Sequence, residues 1–232
     1  MRFRESSVPL VLVLVTATAL LAGCVAREAA HPISTYVIPD YSGKAIKTVA
    51  LIPMGEHVDL PEACAIALPL LEARASAKMA YVFLSEEEAL GRAQKKGISD
   101  KYLRMVSEWK KEGTINKENV VSVGKDVAVD ALLFTEIYLW NKEWVAPNAE
   151  GTSNSQVGMK LVLMGTKTGE KLWEAVDEQT TKSAYYSPQS GIGTHVDEAG
   201  MVRSSPVGGV PDPPPIEEAV KRALDAIFAM FP

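Results

Sequence analysis

The chain has 232 residues, with 24 Lys and Arg against 29 Asp and Glu, and a formal net charge of −5 at pH 7. A mildly acidic chain without a clustered basic run argues against nucleic acid as a partner, since phosphates need grouped Lys and Arg. It argues equally against an electrostatic hold on anionic lipid.

The first element is an apolar run that begins near Val8, follows Arg2 and Arg4, and closes on Leu21-Ala22-Gly23-Cys24. A charged start, about fifteen apolar residues and small residues before the cut describe a secretory signal peptide, too short to span a bilayer. Leu21-Ala22-Gly23-Cys24 resembles a bacterial lipobox. That resemblance implies cleavage between Gly23 and Cys24, with a diacylglycerol on the thiol and an acyl group on the new amine. Such chains, at ~0.8 kcal/mol per buried methylene, hold a protein on a membrane almost permanently. Residues 1–23 are therefore expected to be removed, which takes away two positive charges and one negative and leaves the mature chain at −6. Val25 after the cysteine, rather than Asp, favours the outer membrane by the sorting rule of such lipoproteins. The other cysteine, Cys64, lies among Ala and Ile without basic neighbours, so no intramolecular disulfide is available and a small buried hydrophobe is expected.

Residues 24–45 contain Pro32, Pro39, Ser42 and Gly43 and few periodic apolar positions, which reads as the lipidated cysteine and a flexible tether. Residues 46–232 read as one α/β domain. Its opening strand, 46–52, is stopped by Pro53. A helix over 59–78 follows, with Leu60, Cys64, Leu68 and Leu71 inward and, because of Pro69, a kink or break expected near Leu68. A short strand occupies 81–84. Ser85-Glu86-Glu87-Glu88 is a capping box opening a helix that Gly97 can stop. Two more amphipathic helices cover 99–112, with Tyr102, Leu103, Val106 and Trp109 inward, and 116–127, with Val120, Val123 and Val127 inward.

Three long strands come next, 131–144, 156–166 and 171–184, the second turn carrying Gly169. They predict an antiparallel meander. Residues 186–215 are rich in Gly and Pro and read as a long loop without regular structure. The last helix, 216–231, puts Ile216, Val220, Ala223, Leu224, Ile227, Phe228 and Phe231 on one face. The expected architecture is an α/β sandwich with a mixed sheet of about five strands flanked by helices.

Three stretches carry a resemblance to a known group. They are Lys47-Thr48-Val49-Ala50-Leu51-Ile52-Pro53, the segment Val127 to Ile137, and Met159 to Met164 followed by Thr168-Gly169-Glu170-Lys171-Leu172-Trp173. In this order they resemble the envelope lipoproteins that include the curli secretion-channel lipoprotein, the lipoprotein activators of peptidoglycan synthases and the N-terminal domain of the Tol-system β-propeller protein. A lipoprotein family known from Neisseria surface-antigen work is the nearest in pattern. The resemblance covers 46–184 and implies an α/β domain acting through protein contacts, often as an oligomer, with no catalytic residue to carry over. The charged helices of 85–127 depart from the channel branch, whose hairpins form a barrel.

Motifs for chemistry are absent from the sequence. His31, His57 and His195 stand apart, without His-x-x-x-His or Cys-x-x-Cys spacing, so neither metal nor cofactor is expected. Gly191-Ile192-Gly193 lacks the strand, helix and Lys-Ser/Thr of a phosphate loop. No Gly-x-Ser-x-Gly elbow occurs. Asp130, Glu136, Glu143, Glu174 and Asp177 lie on or beside the meander, where sheet-edge and solvent-face charges are expected rather than a catalytic pair.

Alternation places Phe134, Tyr138 and Trp140 on one face of the first long strand and Leu133, Ile137 and Leu139 on the other. Two apolar faces require two covers, one of which is a helix layer. The second cover is another helix, the long loop or a partner subunit. Phe134, Tyr138, Trp140 and Trp144, with Tyr185 and Tyr186 opening the loop, are the candidate interface with a protein partner or a second copy, and core packing is the commoner reason for such strand aromatics. The functional expectation is a lipid-anchored, non-enzymatic periplasmic interaction module in envelope assembly, secretion or transport. A small-ligand or glycan-binding protein with 186–215 as a lid is the alternative, and a hydrolase the third.

Overall fold

Seven strands build one mixed sheet in the computed structural model, in the order β1-β7-β6-β5-β2-β4, with β3 paired to β5. The structure describes residues 34–39, 41, 46–56, 61–78, 81–188, 192–196, 202–206 and 209–231. The signal segment, Gly23, Cys24, His31 and His57 lie outside these residues. The strands are β1 (Ser34–Val37), β2 (Thr48–Leu51), β3 (Gly55–Glu56), β4 (Val82–Leu84), β5 (Ala131–Glu143), β6 (Asn154–Gly165) and β7 (Lys171–Lys182). The helices are α1 (Pro61–Lys78), α2 (Glu86–Lys95), α3 (Ser99–Glu112), α4 (Lys117–Val127) and α5 (Ile216–Ala229).

The layers follow from the order of connections. β2 pairs in parallel with both β4 and β5. The chain steps one way from β2 through α1 to β4, then back over β2 through α2–α4 to β5. Right-handed crossovers in opposite directions put their helices on opposite faces. Two cores result. Val49, Leu51, Leu133, Ile137, Met159 and Leu161 pack with α1 and α5, whereas Ala50, Ile52, Leu132, Phe134, Val162 and Met164 pack with α2–α4. Strand β5 alternates between the two cores, as a strand covered on both faces should.

Local signals read from the sequence recur in the structure. Ser85 accepts from the Glu88 amide while Glu88 returns to the Ser85 amide, closing the capping box of α2. Asn116, the expected start of this helix, accepts from the Glu118 and Asn119 amides and caps α4. Gly169 takes φ +69° in the β6–β7 turn, and a Cβ there would come within 2.8 Å of the Lys117 carbonyl. The meander β5-β6-β7 is antiparallel throughout.

Other expectations are corrected. Residues 34–37, expected within the tether, form edge strand β1 antiparallel to β7, and Tyr41 behind it is buried. A four-residue strand with every side chain exposed has no burial period to read. The sheet thus already includes Ser34–Val37, ahead of residue 46. Helix α1 continues through Pro69, whose ring faces solvent, and its buried stripe is Ala63, Ala67, Leu71 and Ala75. Cys64 and Leu68 are half-buried beside that stripe, so the inward face is one position off the expected one. Small residues let α1 lie beside α5, where Arg74 pairs with Asp225 at 2.9 Å on the surface. On α3, Met105 is buried and Leu103 is half exposed. The expected loop 186–215 contains a separate hairpin, β8 (Ile192–Val196) with β9 (Val202–Pro206), outside the main sheet.

Candidate interaction surface

The helices α2–α4 cover only part of their face of the sheet. On β7 the residues facing α5, among them Trp173, Ala175, Asp177 and Thr181, are buried, whereas Glu174, Val176, Glu178 and Thr180 on the other face are half-buried or exposed. The uncovered part continues over Glu136 and Tyr138 of β5, Lys160 of β6 and Tyr36 of β1. Its charges alternate. Lys160 lies 4.0 Å from Glu136, and Lys171 pairs with Glu174 at 2.9 Å while standing 4.9 Å over the Tyr36 ring.

Tyr138 owes its place to an irregularity in β5. Ile137 opposes Met159 and Leu139 opposes Gly158, so Tyr138 is an extra, unpaired residue. Such a bulge reverses the alternation beyond it. Trp140 therefore joins Leu133 and Ile137 in the α1–α5 core, contrary to the expectation that it shares a face with Phe134. The Tyr138 ring lies across the middle strand at Gly158, and its hydroxyl donates to the Asp177 carbonyl of β7 at 3.4 Å. Burial raises the phenol's pKa, and the nearby Glu178, Asp177 and Glu136 charges raise it further, so the hydroxyl stays a donor.

A second cluster occupies the end of the meander. Trp144, which follows β5, is 54 % exposed and its indole N–H donates to Asp212 Oδ1 at 3.3 Å. Tyr185 is 67 % exposed and donates to Glu150 Oε2 at 3.0 Å. Tyr186 bridges Gly151 through the backbone and donates its hydroxyl to the Pro147 carbonyl at 3.1 Å. Below them two fully buried serines fix the proline-rich return to α5. Ser153 donates to the Pro211 carbonyl and Ser155 to the Pro214 carbonyl, each at 2.6 Å. Sequence reading missed both serines, because a buried hydroxyl in a polar-looking Ser153-Asn154-Ser155 run gives no local signal.

The six expected aromatics thus divide. Phe134 is fully buried, with its ring 5.3 Å edge-on from Trp109, and Trp140 is core, so neither forms a surface in this fold. Tyr138 lies on the uncovered face, and Trp144, Tyr185 and Tyr186 gather at its end.

The carboxylates do not converge. Asp130 Oδ2 accepts from the Lys47 amide at 2.9 Å, the Thr48 amide at 3.0 Å and the Thr48 hydroxyl at 3.1 Å, which ties β2 to β5. Partial burial would raise its pKa, but these three donors outweigh it and hold the carboxyl below its usual range. Asp177 is buried and accepts from Gln179, Glu136 faces Lys160, Glu174 pairs with Lys171, and Glu143 is exposed. Among the described residues no group of three His, Cys, Asp or Glu could hold a metal ion. A shallow depression of about 270 Å³ beside the start of α4 is lined by Lys117, Glu118, Val121 and Thr168, without a nucleophile or a facing carboxylate pair. No described helix is long and apolar enough to cross a membrane.

No family model matches the chain, and no curated protein matches it. Solved structures are similar in chain path. The PelC dodecamer from Paraburkholderia phytofirmans is 10 % identical, covering 84 % of this chain and 96 % of that one, with a TM-score of 0.42. Lipoprotein GNA1162 from Neisseria meningitidis is 13 % identical, covering 62 % and 89 %, with a TM-score of 0.40. The LpoB C-terminal domain from Escherichia coli is 12 % identical, covering 58 % and 83 %, with a TM-score of 0.39. At these values the likeness carries nothing about activity or partners.

Proposed function

We propose that this chain is a lipid-anchored, non-enzymatic interaction module at the periplasmic face of a bacterial envelope membrane, the outer one by the residue after Cys24. Its role is to hold another envelope protein, or a second copy of itself, during assembly, secretion or transport. The relation to the curli secretion-channel and Tol-system group belongs to this reading and rests on the three sequence stretches quoted above. The lipobox supports the anchorage.

One observation carries the interaction. Among the described residues no helix lies over the sheet face between Tyr36 and Tyr138, which presents two aromatic rings among alternating acidic and basic groups. Tyrosine contributes large, rigid contact area at low entropic cost, and complementary charges select the partner. The lipid-free chain 25–232 should then show a solution mass above that of a monomer, or a protein adduct from this face in cells. A photo-crosslinking phenylalanine placed at position 138 or 36 should yield a discrete protein adduct, whereas the same group at Leu103, exposed on α3, should not. A strict monomer without adducts from 138 and 36 would sink the reading.

A further inference from the structure

We propose that the end of the meander carrying Trp144 and Tyr185 rests against lipid headgroups, so that the anchored domain stands on the membrane in one orientation. This rests on the reading of Cys24 as the lipidated residue.

Direction comes from β1. Ser34 opposes Val176 and Val37 opposes Trp173, so β1 runs against β7. The chain therefore enters the sheet from the side of Lys182, the same side as Trp144 and Tyr185. To bring the opposite end, with the 166–170 turn, against the membrane, the chain would have to reverse just before Ser34.

Length comes from counting. Nine residues lie between Cys24 and Ser34, and the ten steps across them can reach at most ~35 Å when fully extended. From Val176 to Lys182, β7 takes six residue steps, or about 20 Å. Even fully extended, that stretch places Cys24 no more than ~15 Å beyond the end of the sheet. The tether expected from sequence was about twice as long, but β1 takes up its second half. The anchor therefore holds this end near headgroup depth rather than suspending the domain at a distance.

The chemistry of the end fits that place. Trp144 to Ala149 contains no charged residue, and all of it except Val145 is exposed. The indole N–H of Trp144 and the hydroxyl of Tyr185 are already satisfied by Asp212 and Glu150, which fixes the rings while their faces stay open. Tryptophan and tyrosine with a polar edge and a free apolar face are the side chains enriched at membrane–water interfaces. The rim mixes Lys142 and Lys182 with Glu143, Glu150 and Asp212, so contact through the rings and uncharged loop, not attraction to anionic lipid, is the mode.

The four tryptophans provide the test. Trp109, Trp140 and Trp173 are buried and Trp144 is not. The full lipidated protein is reconstituted in phosphatidylethanolamine–phosphatidylglycerol vesicles whose acyl chains carry bromine near the headgroup. Flotation with the vesicles reads the anchor. Quenching of tryptophan emission reads the contact, and the quenched portion should vanish in Trp144→Phe. In the Trp144→Phe background, Lys167→Trp puts an indole in the turn at the other end, where emission should match that in vesicles without bromine. Protein that floats but keeps its full Trp144 emission, or is quenched equally from Lys167→Trp, overturns this proposal alone. Protein that does not float overturns the Cys24 reading and this proposal with it.

Discussion

Tyr138 occupies the space that a side chain at Gly158 would need: a Cβ there would come within 2.6 Å of the Tyr138 ring and 2.9 Å of Leu139 Cβ. Gly158→Ala should therefore destabilise the domain by about 1–3 kcal/mol through overpacking. The Tyr138 ring can swing away, but Leu139 Cβ is fixed by the backbone. In a Tyr138→Ala background the penalty should shrink without disappearing. Urea unfolding of the two single variants and the double variant measures the coupling, and strictly additive losses would contradict the contact.

Asp130 makes stability depend on acid. Its carboxyl titrates below the usual range in the folded chain, so as pH falls the unfolded chain binds the proton first. Stability from this group is complete above the ordinary carboxylate pKa, about 4, and is lost as pH falls through the lower folded value. Asp130→Asn should lower stability at pH 7 by about 1 kcal/mol, because neutral acceptors bond less strongly than charged ones. Near pH 3 the gap between the two proteins should be smaller than at pH 7. Urea midpoints at the two pH values decide it, and an equal gap at both would contradict the assignment.

Ser153 and Ser155 hold the segment that leads into α5. Removing the Ser155 hydroxyl leaves the Pro214 carbonyl without its donor, a loss of about 1–2 kcal/mol. Hydrogen exchange at the paired ends of β6 and β7 should accelerate about tenfold in Ser155→Ala, since 1.4 kcal/mol is one decade. Exchange elsewhere in the sheet should change less. A uniform acceleration would mean that the bond stabilises the whole fold and not this end.

The lipobox reading predicts that Cys24→Ala yields a folded protein released from the membrane fraction. Fractionation with a circular-dichroism check tests it. Retention of the variant would show that another element holds the membrane.

Much of the fold was legible because local chemistry spelled it out. The Ser85–Glu88 box, Gly169 and the valine spacing on α4 all act within a few residues of themselves. The bulge at Tyr138 could not be read, because strict alternation fits β5 equally well with or without an extra residue. Only the partner strand decides, through Gly158. That single residue moves Trp140 from an expected surface into the core. Strand β1 was hidden for a related reason: Ser34–Val37 is exposed on both faces and exists only because β7 offers an edge. The uncovered sheet face is likewise a property of which helices fail to reach it.

Edge strand β1 also decides how force would enter the protein. If the molecule hangs from Cys24, a pull away from the membrane acts along β1, and its backbone hydrogen bonds to β7 share the load in shear instead of opening one after another. Behind them the Ile38 amide still grips the Leu172 carbonyl at 2.9 Å, and buried Tyr41 acts as a stop. Four residues that carry no core side chain would then serve as the mechanical clasp between Cys24 and the sheet.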